Sequence, residues 1–121
     1  MSFDWSGYLS LARRLMEQDG SEAALRSAIS RAYYAAHCRS RNHLRDRENH
    51  KIPEWGNVHR WVIDRFHKSP DIVHRGIGED LFFLRAERNR ADYEDSVPGL
   101  VERTKAALMI SERVLRTLAS L

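Results

Sequence analysis

Arg88 and Asp92 stand one helical turn apart in the stretch LFFLRAERNRADYED, which covers residues 81–95. An arginine is a planar fork for phosphate or carboxylate, and an aspartate four residues on can pair with it. Their placement is the odd feature. At about 100° per residue, with Leu81 at zero, Leu84 falls near about −60° and Ala91 near about −80°. Arg88 falls near about −20°, Asp92 near about +20° and Arg85 near about +40° on the same wheel. The charged pair therefore occupies the apolar stripe itself. Phe82, Asn89 and Tyr93 form a second line about 100° around the helix. Desolvation makes a buried ion pair a poor stability device, and stranding one partner costs about 3–5 kcal/mol. Arg88, Asn89, Asp92 and Tyr93 are thus candidate functional residues, with a helix-register role as the competing explanation.

A second group lies in SRAYYAAHC, residues 30–38. Ala32 and Ala36 are small enough to let another backbone approach. Tyr33 and Tyr34 set hydroxyls to either side of that seam, and Arg31 and His37 flank them. The basic run RSRNHLRDRENHK follows, with Arg39, Arg41 and Arg45 among its cations and Asp46 and Glu48 among its anions. It reads equally as a solvated helix end, where cations favour the dipole, and as a rim of phosphate contacts.

These residues need helices to position them, and the apolar periodicity is helical almost throughout. Trp5, Tyr8, Leu9, Ala12, Leu15 and Met16 mark a first helix, closed by Gly20, with Ser21 as N-cap of the next. Leu25, Ala28, Ile29, Ala32, Tyr33 and Ala36 line the second. Pro53 and Gly56 mark a loop, and Val58, Trp61, Val62 and Phe66 a short third helix. Ser69 as N-cap with Pro70 in the first turn restarts the chain into a fourth helix, from about Asp71 to Tyr93. Leu100, Ala107, Leu108, Val114, Leu115 and Leu118 line the last. No strand pattern or repeat interrupts them. The expected fold is all-α: one domain over residues 1–121, an up-and-down bundle of four long helices and one short one.

Composition bounds the function. The 121 residues are 42% hydrophobic and 31% charged, with a net charge of +3, and 17 of the 20 cations are arginine. That balance permits nucleic acid without demanding it. No apolar run approaches the roughly 20 residues of a membrane span, and no signal-peptide pattern opens the chain. The single cysteine, Cys38, fits a reducing compartment, so the expected location is cytoplasmic. No HExxH, cysteine pair or Glu-x-x-His set is present, and the six histidines are scattered singly. No metal and no cofactor are expected.

AALRSAISRAYYAAHCRSRNHL, followed further on by LRAERNRADYED, resembles the HEPN domains. Within them it is most similar to the small stand-alone prokaryotic branch, with SRAYYA in the second helix and RxxADY in the fourth. The resemblance implies a helical bundle, commonly a homodimer, that acts on RNA or nucleotides. Many such proteins are metal-independent endoribonucleases, the toxin-like members of toxin–antitoxin or defence modules beside a small nucleotidyltransferase. Active members pair an arginine, followed by a polar residue, with a histidine after four to six residues. Arg88 and Asn89 match the first two, whereas Tyr93 stands where a histidine would follow a four-residue gap. A phenol is a poor general base at neutral pH, so cleavage is expected to be weak or absent.

By the resemblance, Arg88, Asn89, Asp92 and Tyr93 are the catalytic candidates. Arg85, Tyr33, Tyr34, Arg31, His37, Arg39, Arg41 and Arg45 are the candidates for binding RNA or nucleotide. A bare Arg-to-His spacing also occurs at Arg31–His37, Arg45–His50 and Arg60–His67. The ends of the first, six residues apart, lie about 120° off a common face. Two readings follow: a ribonuclease with altered chemistry, or a non-catalytic subunit that binds a nucleotide or a partner nucleotidyltransferase.

Overall fold

Gly20 and Ser21 separate the first two helices, each through its own chemistry. Gly20 takes the left-handed conformation at φ 70°, and the Ser21 side chain accepts a hydrogen bond from the Ala24 amide at 3.2 Å. The computed structural model describes residues 2–121. Its helices are α1 (Gly7–Arg14), α2 (Glu22–Asp46), α3 (Val58–His67), α4 (Ile72–Tyr93) and α5 (Leu100–Ser120). No strand occurs among the described residues. None of these helices is long and apolar enough to cross a membrane.

Two expected boundaries move. The first helix is short, because regular α geometry ends at Arg14 and a π-helical turn, Leu15–Asp19, completes it. The amide of Gly20 reaches back five residues to the Leu15 carbonyl at 3.0 Å, which widens that turn. At the other restart the N-cap is Asp71, not Ser69. Asp71 Oδ1 accepts from the Val73 amide, while the Ser69 hydroxyl accepts from the Asp71 amide, so Pro70 lies ahead of the helix.

The helix order also departs from a strict up-and-down path. Tyr33 on α2 stacks near His59 at the start of α3, and His43, further along α2, lies 6.3 Å from Phe66 near the end of α3. α2 and α3 therefore run parallel. Residues 47–57 must carry the chain back along the bundle between them. A loop of this length spans about 36 Å when extended, against about 15 Å for α3. α4 then returns antiparallel to α3 and α5. Arg113 on α5 meets Asp80 at 2.6 Å and Arg103 meets Glu87 at 2.8 Å, stepping in opposite senses along the two helices.

The main core joins Ile29 and Tyr33 of α2, Val62 and Phe66 of α3, Leu81 and Leu84 of α4, and Val114 of α5. Each large side chain buried there contributes about 1.5–3 kcal/mol. A second cluster seats Leu9 and Ala12 of α1 on Ala28, Ala32 and Ala35. Small residues decide how close the helices come. A Cβ on Gly78 would stand 2.6 Å from the backbone nitrogen of His67, so α4 touches the end of α3 through a glycine. Ser111 on α5 donates to the Ala32 carbonyl at 2.7 Å, deep in the core. Ala32 and Ala36 are thus covered within the chain and give no open seam for a second copy.

Candidate functional site

Arg31, Tyr34, Cys38 and Arg41 recur at three- and four-residue intervals and share one face of α2. With His37 they line a cleft of about 490 Å³. Its other walls are Trp5 and Tyr8 from the N-terminal segment, Ile52 from the crossover loop, and Val58 and His59 from α3. No carboxylate stands among these residues. The arginines lie over aromatic faces. The Arg31 guanidinium carbon is 4.6 Å from the Tyr8 ring centre and 5.1 Å from Tyr34, and that of Arg41 is 5.6 Å from Trp5. Such stacking holds each cation in place while leaving it charged.

At the floor His37 and His59 stack, with ring centres 4.3 Å apart. The Tyr33 ring lies nearly parallel to both, and its hydroxyl is hydrogen-bonded to Nδ1 of His59. Burial raises the Tyr33 phenol well above its usual range, so it stays protonated. His37 is 4% exposed and its Nδ1 has no hydrogen-bond partner. Burial, followed by the charges of His59, Arg41, Arg85 and Arg88, pushes its pKa down to about 3. His59 is lowered as well, by burial and then by Arg85 and Arg88. At neutral pH the two rings are uncharged among arginines.

Arg88 stands behind Tyr34. Its Nη2 donates to the Tyr34 hydroxyl and its Nη1 to Asn89 Oδ1, both at 2.8 Å. Its Nε lies 3.3 Å from Asp92 Oδ2, near enough for an ionic contact but off the line of a hydrogen bond. The guanidinium sits 5.7, 5.3 and 6.0 Å from the ring centres of Tyr33, Tyr34 and Tyr93. Tyr34 joins the two regions, since its ring lines the cleft and its hydroxyl accepts from Arg88.

The expectation of an inward pair holds for one partner. The Arg88 side chain is 13% exposed and that of Asp92 30%, so the carboxylate lies at the rim. Asp92 sits in the final turn of α4, where Arg26 of α2 caps the chain end by donating to the carbonyls of Ala91, Glu94 and Asp95. The acid that is truly inside α4 is Glu87, 6% exposed and paired with Arg103. Its position, about 120° from Leu81, gave no sign of burial in the wheel.

Of the sequence candidates, Arg31, Tyr34, His37 and Arg41 line the cleft, and Tyr33, Arg85 and Arg88 surround its floor. Arg85 also reaches Asn57 Oδ1, at the N-cap of α3. Asn89, Asp92 and Tyr93 are outside the cleft lining, and Tyr93 is 76% exposed. Arg39 pairs with Asp4 at 3.4 Å and Arg45 with its neighbour Asp46 at 2.7 Å, so neither is brought to the cleft. Trp5, Tyr8 and His59 belong to it without having been singled out. The first two carried only a core periodicity, and nothing around VHRW marked His59. The histidines are not scattered either: His37 meets His59, and His43 meets His74 through Glu48. Comparison with protein-family models, curated proteins and solved structures finds no match to the chain.

Proposed function

We propose that the chain binds single-stranded RNA in the Arg31–Arg41 cleft and cleaves it without a metal, as a HEPN-like ribonuclease of altered chemistry. One observation carries the reading: an uncharged, half-buried His59 stacked on the buried His37 at the floor of an arginine-lined aromatic cleft. Aromatic faces accept bases, arginines accept phosphates, and a carboxylate-free wall does not repel them. His59 at the start of α3, the less buried of the two imidazoles, then supplies the base that the fourth-helix motif lacks. It takes the proton of a ribose 2′-hydroxyl while that oxygen bonds to phosphorus. The bond from phosphorus to the 5′-oxygen breaks, and the proton is returned to the leaving oxygen.

The HEPN resemblance extends this proposal to a toxin-like role in a toxin–antitoxin or defence module, and to a homodimer. The exposed Phe82 and Tyr93, in line with Asn89 on α4, are the surface a second copy would cover. One observation favours the non-catalytic alternative, a subunit binding a nucleotide or a nucleotidyltransferase. The guanidinium of Arg88 is already engaged by Tyr34, Asn89 and Asp92.

The deciding experiment measures binding and cleavage of one labelled single-stranded RNA by wild type, His37→Gln, His59→Gln and Arg88→Ala, with chelator present. Chelator-resistant cleavage lost with either imidazole supports the ribonuclease. Tight binding without cleavage by any variant selects the subunit reading. Binding that survives loss of both Arg31 and Arg41 shows that the cleft is the wrong place.

A further inference from the structure

Six residues beyond His37, roughly 9 Å along α2, a different histidine cluster forms. His43 lies in the last turns of α2, and Glu48 follows just past its end. Asn49, at φ 59°, turns the chain there. His74 lies in the first turn of α4. One oxygen of Glu48, Oε2, is 2.7 Å from Nε2 of His43 and 2.8 Å from Nε2 of His74. The three donor atoms all lie within 4.8 Å of one another. The side chains are 8%, 31% and 18% exposed for His43, Glu48 and His74, so the set is sheltered but reachable.

Two features distinguish this cluster from an ordinary surface ion pair. The far nitrogen of His74, Nδ1, is 2.6 Å from Asp71 Oδ2. A carboxylate behind an imidazole fixes its tautomer and turns Nε2 forward, the usual support of a metal-bound histidine. Phe66 stacks on the His74 ring at 5.6 Å and lies 6.3 Å from that of His43, which restrains both rings. Glu48 and His74 also line an open cleft of about 530 Å³, shared with His50 and Trp61. Three ligands beside a cleft leave a fourth position free for water or an incoming group.

We propose that His43, Glu48 and His74 bind one first-row divalent cation per chain, Zn²⁺ by preference, with Asp71 as the positioning residue for His74. Two imidazoles and one carboxylate suit Zn²⁺, whereas Mg²⁺ and Ca²⁺ favour sets made of oxygen. The ion replaces the protons that the two Nε2 atoms share with Glu48. It clasps the end of α2 and the crossover loop to the start of α4. The proposal is independent of the RNA reading, which uses other histidines and no metal.

The test uses full-length protein without a histidine tag, stripped with chelator and titrated with Zn²⁺ by calorimetry and with Co²⁺ by visible absorption. The expected result is saturation at one ion per chain, a four-coordinate Co²⁺ spectrum, and a melting temperature that rises with Zn²⁺ concentration. Saturable binding is lost in His43→Gln and in His74→Gln. Asp71→Asn keeps the helix cap, since asparagine caps as well, but weakens affinity by about 10–100-fold. His67→Gln, an exposed histidine outside the cluster, binds as wild type. Failure of wild type to bind near one equivalent overturns the proposal, as does binding that persists when His43 and His74 are both replaced. Circular dichroism of each variant confirms that a loss of binding is not a loss of fold.

Discussion

Two pairs of histidines flank α3, and their surroundings are opposite. At its start His37 and His59 stack among Arg41, Arg85 and Arg88, with no carboxylate lining their cleft. At its end His43 and His74 converge on Glu48, with Asp71 behind. Burial opposes charge in both places, but only the second offers compensation. Hydrogen bonds donated to Glu48 and Asp71 outweigh burial and raise the pKa of His74, and the imidazoles in turn hold Glu48 below its usual range. The lesson is that side-chain type decides little and the neighbours decide the chemistry. The first pair stays neutral in a field that attracts anions. The second offers lone pairs and negative charge to a cation.

The sharpest way to break this comparison is to exchange the roles in a cleavage assay. General acid–base help is typically worth about 10²–10⁴ in rate. His59→Gln is therefore expected to slow RNA cleavage by about that factor with a much smaller change in affinity. His43→Gln, at the other end of α3, leaves the rate unchanged. Single-turnover rates on one substrate measure both. Equal losses in the two variants would mean that the ends of α3 are not chemically distinct.

Acid stability gives the next largest effect. The unfolded imidazole titrates near 6.5, whereas folded His37 is held at about 3. Between these values the unfolded chain binds the proton and the folded one does not. His37 thus contributes stability above about pH 6.5 that is lost progressively as the pH falls, at roughly 1.4 kcal/mol per pH unit. Denaturant melts from neutral pH down to about pH 4 should show His37→Gln losing stability less steeply than wild type, by up to that slope. Parallel curves would show that His37 is not held neutral.

Arg88 comes third. A fully buried pair, broken on one side, would cost about 3–5 kcal/mol, but Asp92 is 30% exposed and water can reach its carboxylate. Arg88→Ala should therefore cost only about 1–2 kcal/mol, chiefly the bond to the Tyr34 hydroxyl and the stacking on the tyrosines. A loss near the larger figure would restore the register role for the pair.

Much of the scaffold was legible in the residues because it depends on local rules. Gly20 and Ser21 set the first joint, and the stripe from Leu25 to Ala36 placed one wall of the core as expected. The parallel run of α2 and α3 was not legible, because no local pattern distinguishes a crossover loop from a tight turn of polar residues. The cleft was half legible. Arg31, Tyr34 and Arg41 share a face of one helix, which periodicity reveals, while His37 lies about 120° around from Arg31. Trp5, Tyr8 and His59 join them only through tertiary contacts. The same limit hid the second cluster, since Glu48 and His74 are brought together from either side of α3. Asp92 was misplaced for a different reason: a wheel gives direction around a helix but not whether a neighbour reaches its last turn.

The smallest expected effect separates arginines that the sequence treated alike. Arg31, Arg39, Arg41 and Arg45 all lie on α2, yet only Arg31 and Arg41 line the cleft. Arg39 is paired with Asp4, and Arg45 with Asp46 in the adjacent position. Each phosphate contact to a single strand contributes about 0.7 to the slope of log affinity against log salt. Arg41→Ala should lower that slope by about this amount, and Arg45→Ala should leave it unchanged. Because Arg41 lies over Trp5, the alanine variant also removes a stacking contact, and charge must be separated from packing. Arg41→Lys does so. Lysine keeps the charge but not the planar group, so the salt slope should return towards the wild-type value while affinity stays below it. A salt slope that falls equally in Arg41→Ala and Arg45→Ala would place the RNA along the whole basic helix end, and the cleft would lose its claim to be the binding site.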